Sequence, residues 1–95
     1  MEVTAESLKK LTITEIAETI VETWQPKVHP YAAPYLKAML RIEDIHEMYF
    51  SDDAYGIVLY FLSNAQSYRG DTARLVKAEL KARCKQYEKA HKMKG

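Results

Sequence analysis

Residues 51 to 70 read SDDAYGIVLYFLSNAQSYRG, and apolar surface is more concentrated here than elsewhere in the 95-residue chain. The apolar run from Ala54 to Leu62 suits either a buried helix or a buried strand, so the flanking residues decide. Ser51 is placed to cap a helix, and Asp52 and Asp53 suit its first turn, where exposed amides and the helix dipole favour negative charge. These flanks predict a helix over this stretch.

This predicted helix is apolar over most of its circumference. At about 100° per residue, one broad face collects six side chains, which are Ala54, Tyr55, Val58, Phe61, Leu62 and Ala65. The remaining narrow stripe consists of Gly56, Tyr60, Ser63 and Ser67. A helix with so wide an apolar face belongs in the middle of a bundle. We therefore expect the other helices to pack around it.

The composition is that of an ordinary globular chain, with 47% apolar and 28% charged residues. A chain of this length forms one domain with a modest core. One cysteine, Cys84, excludes an internal disulfide framework and suits a reducing compartment. The longest apolar run is far shorter than the roughly 20 residues of a membrane span. We expect a single helical domain over residues 1–95 in the cytoplasm, with no membrane partner.

Local signals place three further helices. Thr12 and Glu15 form a capping-box pattern before an apolar series of helical period. Three prolines from Pro26 to Pro34 end that helix, and Pro34 suits the start of the next. Asp71 or Thr72 is placed to cap the last helix. The predicted helices run near residues 12–24, 34–49, 52–66 and 71–91, with residues 1–10 adding a frayed turn and a break near 41–43 left open.

The fold predicted from these signals is all-α, a compact four-helix bundle-like domain with a buried central third helix. Charge is distributed unevenly along it. From Met1 to Tyr68 the chain has five basic and ten acidic residues, whereas from Arg69 onward it has nine basic and three acidic residues. An acidic body with a basic end is the most informative compositional feature of this chain.

The basic residues of the last predicted helix share one face, which comprises Arg74, Lys77, Lys81, Lys85, Lys89 and Lys92. Cations at helical spacing can follow a phosphate backbone, so this face is a candidate nucleic-acid surface. No aromatic residue on the face offers a stacking platform, and the pI of about 7.8 is below that typical of nucleic-acid-binding modules. A solvated face, or a surface for an acidic partner, is the alternative.

An acidic stripe of Glu15, Glu18 and Glu22 on the first predicted helix complements this basic face. The two stripes suit pairing within one molecule or between two copies. Surface ion pairs add little stability, so such pairing would govern partner choice more than affinity. Assembly of two copies also requires an apolar patch.

The stripe of Gly56, Tyr60, Ser63 and Ser67 is the candidate for that protein interface. Small residues let a partner helix approach closely, and a tyrosine beside them can fill a pocket and form a hydrogen bond at its tip. Packing against another helix of the same chain is the competing interpretation. The chain has seven tyrosines, a residue type enriched at protein interfaces, which favours a binding protein over an enzyme.

Metal and catalytic motifs are weak in this sequence. Glu43 and His46 have the i, i+3 spacing of di-iron bundles, but no second such pair occurs. Cys84 falls on the core side of the last predicted helix, where a thiol acts as a small hydrophobe. The sequence lacks a glycine-rich phosphate loop, a nucleophile elbow and a paired-cysteine motif. We expect no catalytic residue, no metal site and no cofactor.

Residues 60–81, YFLSNAQSYRGDTARLVKAELK, together with PYAAPYLKAM at residues 30–39, resemble small uncharacterised helical proteins encoded in phage and prophage genomes. The resemblance covers about two thirds of the chain. It implies an intracellular accessory role, such as binding a host or phage protein, and brings no activity. The leading expectation is a non-catalytic protein-binding module that self-associates, and the alternative is a nucleic-acid accessory protein.

Overall fold

The computed structural model describes residues 3–24, 27–49 and 52–91, and of Tyr49 only the backbone. Five helices and two short strands occur in this part of the chain. They are α1 (Ala5–Lys9), α2 (Ile13–Thr23), α3 (Ala33–Met39), β1 (Met48–Tyr49), β2 (Asp52–Asp53), α4 (Ala54–Ser63) and α5 (Asp71–Ala90). The predicted helical class is confirmed, whereas the exact four-helix bundle is not.

The N-terminal segment forms a capped helix in place of the predicted frayed turn. Thr4 accepts a hydrogen bond from the Ser7 amide, and the Ser7 hydroxyl oxygen accepts one from the Thr4 amide, both at 3.0 Å. The side chain of Leu8 is buried. Arg83 of α5 donates a hydrogen bond to the backbone carbonyl oxygen of Leu8 at 2.9 Å. These contacts satisfy backbone groups that a short isolated helix leaves exposed.

The capping box predicted at Thr12 is confirmed. The Glu15 amide donates to the Thr12 hydroxyl at 3.1 Å, and Glu15 Oε1 accepts from the Thr12 amide at 2.9 Å. Helix α2 then runs to Thr23, with Trp24 as its C-cap. It ends ahead of the prolines, as the sequence predicts.

The second predicted helix, 34–49, is wrong in its length, because α3 ends at Met39. The segment after α3 forms a hydrogen bond with the start of α2, in which the Ile13 amide donates to the Glu43 carbonyl at 2.9 Å. The Glu47 carboxylate then accepts hydrogen bonds from the amides of Glu43 and Asp44. These carboxylate bonds compete with helical ones, so the possible break near residues 41–43 marks a real change of structure.

Strands β1 and β2 form an antiparallel pair that the sequence did not predict, with Met48 opposite Asp53 and Tyr49 opposite Asp52. Asp53, the last residue of β2, is also the N-cap of α4. Its side chain accepts a hydrogen bond from the Gly56 amide at 2.7 Å. The predicted Ser51 cap lies outside the described residues. Asp52 lies in the strand and Asp53 at the N-cap, so the prediction that both lie in the first helical turn is wrong.

The prediction of a central third helix is not confirmed. Helix α4 corresponds to that helix and makes its main contacts with α3 and α5, whereas α5 packs against α1, α2 and α4. Leu59 and Tyr60 of α4 are 37% and 60% exposed. One side of α4 therefore meets solvent, whereas α5 packs extensively against three other helices.

An aromatic cluster forms part of the buried core. The Trp24 ring stacks on Tyr68 with centroids 5.1 Å apart and meets the edge of Phe61 at 6.1 Å. Tyr68 is 1% exposed, and its hydroxyl lies 2.7 Å from that of Thr23. Burial raises the pKa of Tyr68, and the Thr23 hydrogen bond opposes that rise. The cluster joins α2, α4 and the turn that leads into α5.

The turn before α5 depends on Gly70, whose φ of 113° lies in a region that favours glycine. Gly70 is the N-cap of α5 and forms no side-chain cap, so the predicted capping by Asp71 or Thr72 is wrong. Asp71 instead lies in the first turn of α5. Among the described residues, no helix has the length and apolar character needed to cross a membrane.

Candidate functional site

A groove between α3 and α4 contains two of the four residues predicted as a protein interface, Gly56 and Tyr60. Its volume is about 600 Å³. We call it the Tyr35–Tyr60 groove, and its lining consists of Pro34, Tyr35, Ala38, Asp52, Asp53, Gly56, Ile57 and Tyr60. Tertiary packing brings Pro34, Tyr35, Asp52 and Asp53 to the site.

Two stacked tyrosine rings form the aromatic part of this groove. Tyr35 and Tyr60 have ring centroids 5.5 Å apart and planes inclined by 25°. Tyr60 is nevertheless 60% exposed, so much of its surface faces solvent. An exposed tyrosine held by a stacking partner loses little rotamer freedom on binding and offers an apolar face with a polar tip.

Gly56 has a local reason to be glycine. A Cβ at this position would lie 2.8 Å from Asp53 Oδ1, the atom that caps α4. The absence of a side chain therefore protects the cap. Asp52, which is exposed, adds a further carboxylate to the groove.

Ser63 and Ser67 are exposed but do not line the groove. The Ser63 hydroxyl donates a hydrogen bond to the Leu59 carbonyl at 3.1 Å, within α4. Ser67 lies in the turn after α4. The predicted stripe is thus divided, with Gly56 and Tyr60 in the groove and the two serines beyond it.

The basic face of α5 is open to solvent along most of its described length. Arg74, Lys81, Lys85 and Lys89 are exposed, Lys77 is half-buried, and Lys92 lies outside the described residues. The Lys77 ammonium lies 5.8 Å from the centre of the Tyr68 ring. Burial lowers the pKa of Lys77, and the nearby charges of Lys81 and Arg69 lower it further.

The start of α5 also carries a small cavity of about 380 Å³. Arg69, Arg74 and Lys77 line it together with Tyr68, Gly70 and Ala73. Arg69 lies outside the basic face predicted from the sequence, because it precedes the helix. The turn at Gly70 brings this guanidinium beside the first helical cations.

An apolar groove of about 670 Å³ lies between α1 and α2, beside the predicted acidic stripe. We call it the α1–α2 groove. Its apolar lining is Val3, Leu8, Leu11, Val21 and Leu40, and Glu15, Glu18 and Glu22 also line it. Val21 is 49% exposed, and all three glutamates are exposed. The sequence showed the acidic stripe but not the apolar surface that tertiary packing places next to it.

His46, a residue of the weak Glu43–His46 motif, belongs to a cluster of rings near the end of α5. His46 Nδ1 lies 2.9 Å from Asp44 Oδ1, and the His46 ring is 5.3 Å from Tyr87 and 5.5 Å from His91. Backbone and side-chain hydrogen bonds from His46 lower the pKa of Asp44. Within the described residues, no three His, Cys, Asp or Glu side chains are arranged to hold a metal ion.

Cys84 lies in the core, as its position on the last predicted helix indicated. Burial, with a smaller contribution from the Glu88 carboxylate, raises the pKa of its thiol to about 11. The thiolate is the nucleophilic form of cysteine. This thiol is therefore a weak nucleophile in the folded chain.

Comparison with protein-family models, with curated proteins and with solved structures found no match. The resemblance to phage and prophage proteins accordingly stays a prediction.

Proposed function

We propose that this chain is a small, non-catalytic protein-binding module that self-associates. The observation that carries the proposal is the Tyr35–Tyr60 groove, where Tyr60 is 60% exposed although it stacks on Tyr35. Tyrosine is a frequent hot-spot residue in protein interfaces. The weak nucleophilicity of Cys84, the chain's one thiol, argues against catalysis by a cysteine nucleophile.

The chemistry of the groove favours a basic segment of a partner protein. The Tyr60 ring can receive a lysine or arginine side chain on its face by a cation–π contact. Asp52 and Asp53 supply carboxylates in the same groove. Pro34, Ala38 and Ile57 supply apolar surface for neighbouring residues of the segment. The partner we propose is therefore an extended peptide that combines a basic residue with an apolar one.

Self-association belongs to the proposal because the chain carries both an acidic and a basic exposed face. A cytoplasmic location belongs to it as well, since a single free cysteine suits a reducing compartment. The resemblance noted above adds an accessory role in a phage or prophage, in which the partner is a host or phage protein.

Selection from a random peptide library displayed on mRNA tests the binding proposal. We expect enrichment of peptides that place Lys or Arg next to an apolar residue. Fluorescence polarisation should then show that Tyr60→Ala weakens the selected peptides about 30-fold, as expected for a hot spot worth about 2 kcal/mol. Asp52→Asn should weaken them about threefold, since a rim charge contributes less.

Tyr31→Ala provides the matched control, because Tyr31 is 72% exposed and does not line the groove. It should leave peptide affinity unchanged. The binding proposal fails if no peptide is enriched, or if the selected peptides bind Tyr60→Ala as tightly as the unmodified chain.

A second candidate, nucleic-acid binding, is favoured by one specific observation. Arg69, Arg74 and Lys77 line the same cavity at the start of α5, and the exposed lysines continue from it along the helix. Such an arrangement can hold phosphates in succession. Affinity for a DNA duplex should then fall steeply with salt, whereas peptide binding in the Tyr35–Tyr60 groove should fall much less.

A further inference from the structure

The α1–α2 groove combines an apolar floor with a charged rim of one sign. Leu8, Leu11 and Leu40 supply the floor, and the exposed Val21 extends it towards solvent. The carboxylates of Glu15, Glu18 and Glu22 border it along α2. An apolar groove with an acidic rim suits an amphipathic helix that carries cations beside small or aliphatic surface.

Helix α5 presents such a surface. Glu15, Glu18 and Glu22 are separated by three and then four residues, and Arg74, Lys77 and Lys81 have the same separations. Each set therefore spans about 10 Å along its helix. Ala78 and Ala82 are exposed close to these cations, and the aliphatic stems of the lysines can cover apolar surface while the ammonium groups reach the carboxylates.

Pairing of these stripes inside one molecule is not seen for the first two glutamates. In residues 3–24, 27–49 and 52–91, no ion pair joins Glu15 or Glu18 to a cation of α5. The Arg83 guanidinium instead pairs with Glu79 of its own helix. Glu18, and Glu15 beyond its capping bond to Thr12, can therefore meet cations of a second molecule.

We infer that the α1–α2 groove of one copy receives the basic face of α5 from a second copy of this chain. The inference rests on the self-association included in the proposed function and assigns the two surfaces that produce it. Because the groove and the basic face are different surfaces, contact is either head-to-tail or reciprocal about a twofold axis. Neither surface shares a lining residue with the Tyr35–Tyr60 groove.

Charge reversal with reciprocal rescue tests this assignment. Sedimentation velocity on the full chain at low salt should show association that weakens as salt screens the charges. Glu18→Lys and the double variant Lys81→Glu/Lys85→Glu should each weaken association about tenfold or more, since attraction becomes repulsion at the rim. An equimolar mixture of the two variants should associate as the unmodified chain does. The reversed groove of one variant then meets the reversed helix of the other, and their two unmodified surfaces meet as before.

Glu43→Lys is the matched control, because Glu43 is exposed and does not line the groove. It changes the net charge as Glu18→Lys does and should leave association intact. A chain that is monomeric at every salt concentration overturns both self-association and the assignment. A chain that associates while Glu18→Lys has no effect, or while the mixture stays monomeric, overturns the assignment alone. Peptide binding to the Tyr35–Tyr60 groove is unaffected by any of these outcomes.

Discussion

The hydroxyl group of Tyr55 donates a hydrogen bond to Oε2 of Glu88 at 2.5 Å, joining the first turn of α4 to the last turns of α5. The Tyr55 ring also stacks on Tyr87, with centroids 4.5 Å apart. The hydrogen bond to Glu88, followed by desolvation and the charge of that carboxylate, raises the pKa of Tyr55 to about 12. The contribution of this contact to the packing of α4 on α5 therefore depends on pH.

This coupling predicts a loss of stability at alkaline pH. The folded chain holds the Tyr55 proton more tightly than the unfolded chain, whose tyrosine titrates near pH 10. The resulting stability is complete below pH 10 and is lost as pH rises towards 12. Urea unfolding from pH 8 to about pH 12 should show a steeper decline for the unmodified chain than for Tyr55→Phe. Parallel declines would contradict the prediction.

A second prediction concerns Arg83, which joins α1 to α5. Its guanidinium donates to Glu79 Oε2 at 2.8 Å and to the Leu8 carbonyl at 2.9 Å. Hydrogen bonds from a charged group contribute more than neutral ones, so Arg83→Ala should lower the free energy of unfolding by about 2 kcal/mol. Hydrogen exchange should show the loss of protection first at residues 5–9.

Lys81→Ala is the control for Arg83→Ala, because Lys81 is exposed on the same helix. It should change the free energy of unfolding by less than about 0.5 kcal/mol. Equal effects of the two substitutions would show that Arg83 does not hold α1 in place.

A third prediction compares two neighbouring aromatic residues of α4. Phe61 is fully buried against Trp24, whereas Tyr60 is 60% exposed. Phe61→Ala should cost about 3–5 kcal/mol, because it leaves a cavity in the core. Tyr60→Ala should cost about 1 kcal/mol or less, since it removes mainly the stacking on Tyr35. Urea titration followed by the fluorescence of Trp24, the one tryptophan, measures both. Similar losses for the two would contradict the burial difference.

A fourth prediction concerns the reactivity of Cys84. Its pKa, raised from 9.0 to about 11, reduces the thiolate fraction at pH 8 by about 100-fold, and burial adds a steric barrier. Iodoacetamide labelling at pH 8 should be at least about 100-fold slower in the folded chain than in guanidinium chloride. Comparable rates in the two states would mean that the thiol is accessible.

The sequence predicts the structure correctly where the deciding contacts are close along the chain. Thr12 and Glu15 are three residues apart, so their reciprocal hydrogen bonds depend on local geometry alone, and the start of α2 followed from them. The burial of Cys84 followed from helical periodicity.

The sequence does not predict the structure where distant segments compete for the same backbone groups. Helix α3 ends at Met39, and the following segment turns towards α2 and then pairs with Asp52 and Asp53. Apolar periodicity alone could not show this, because residues 42 and 45 also fit a helical pattern although they are buried outside a helix.

By itself, the sequence determined the helical class, the N-cap of α2 and the acidic and basic stripes, because these depend on which residue types recur every three or four residues. Only the tertiary structure decided that Tyr35 stacks on Tyr60 and that Leu40 joins Leu8 beside the acidic stripe. Those neighbours are separated by 25 and 32 residues in the sequence. Their proximity follows from how the whole core packs, which no local pattern encodes.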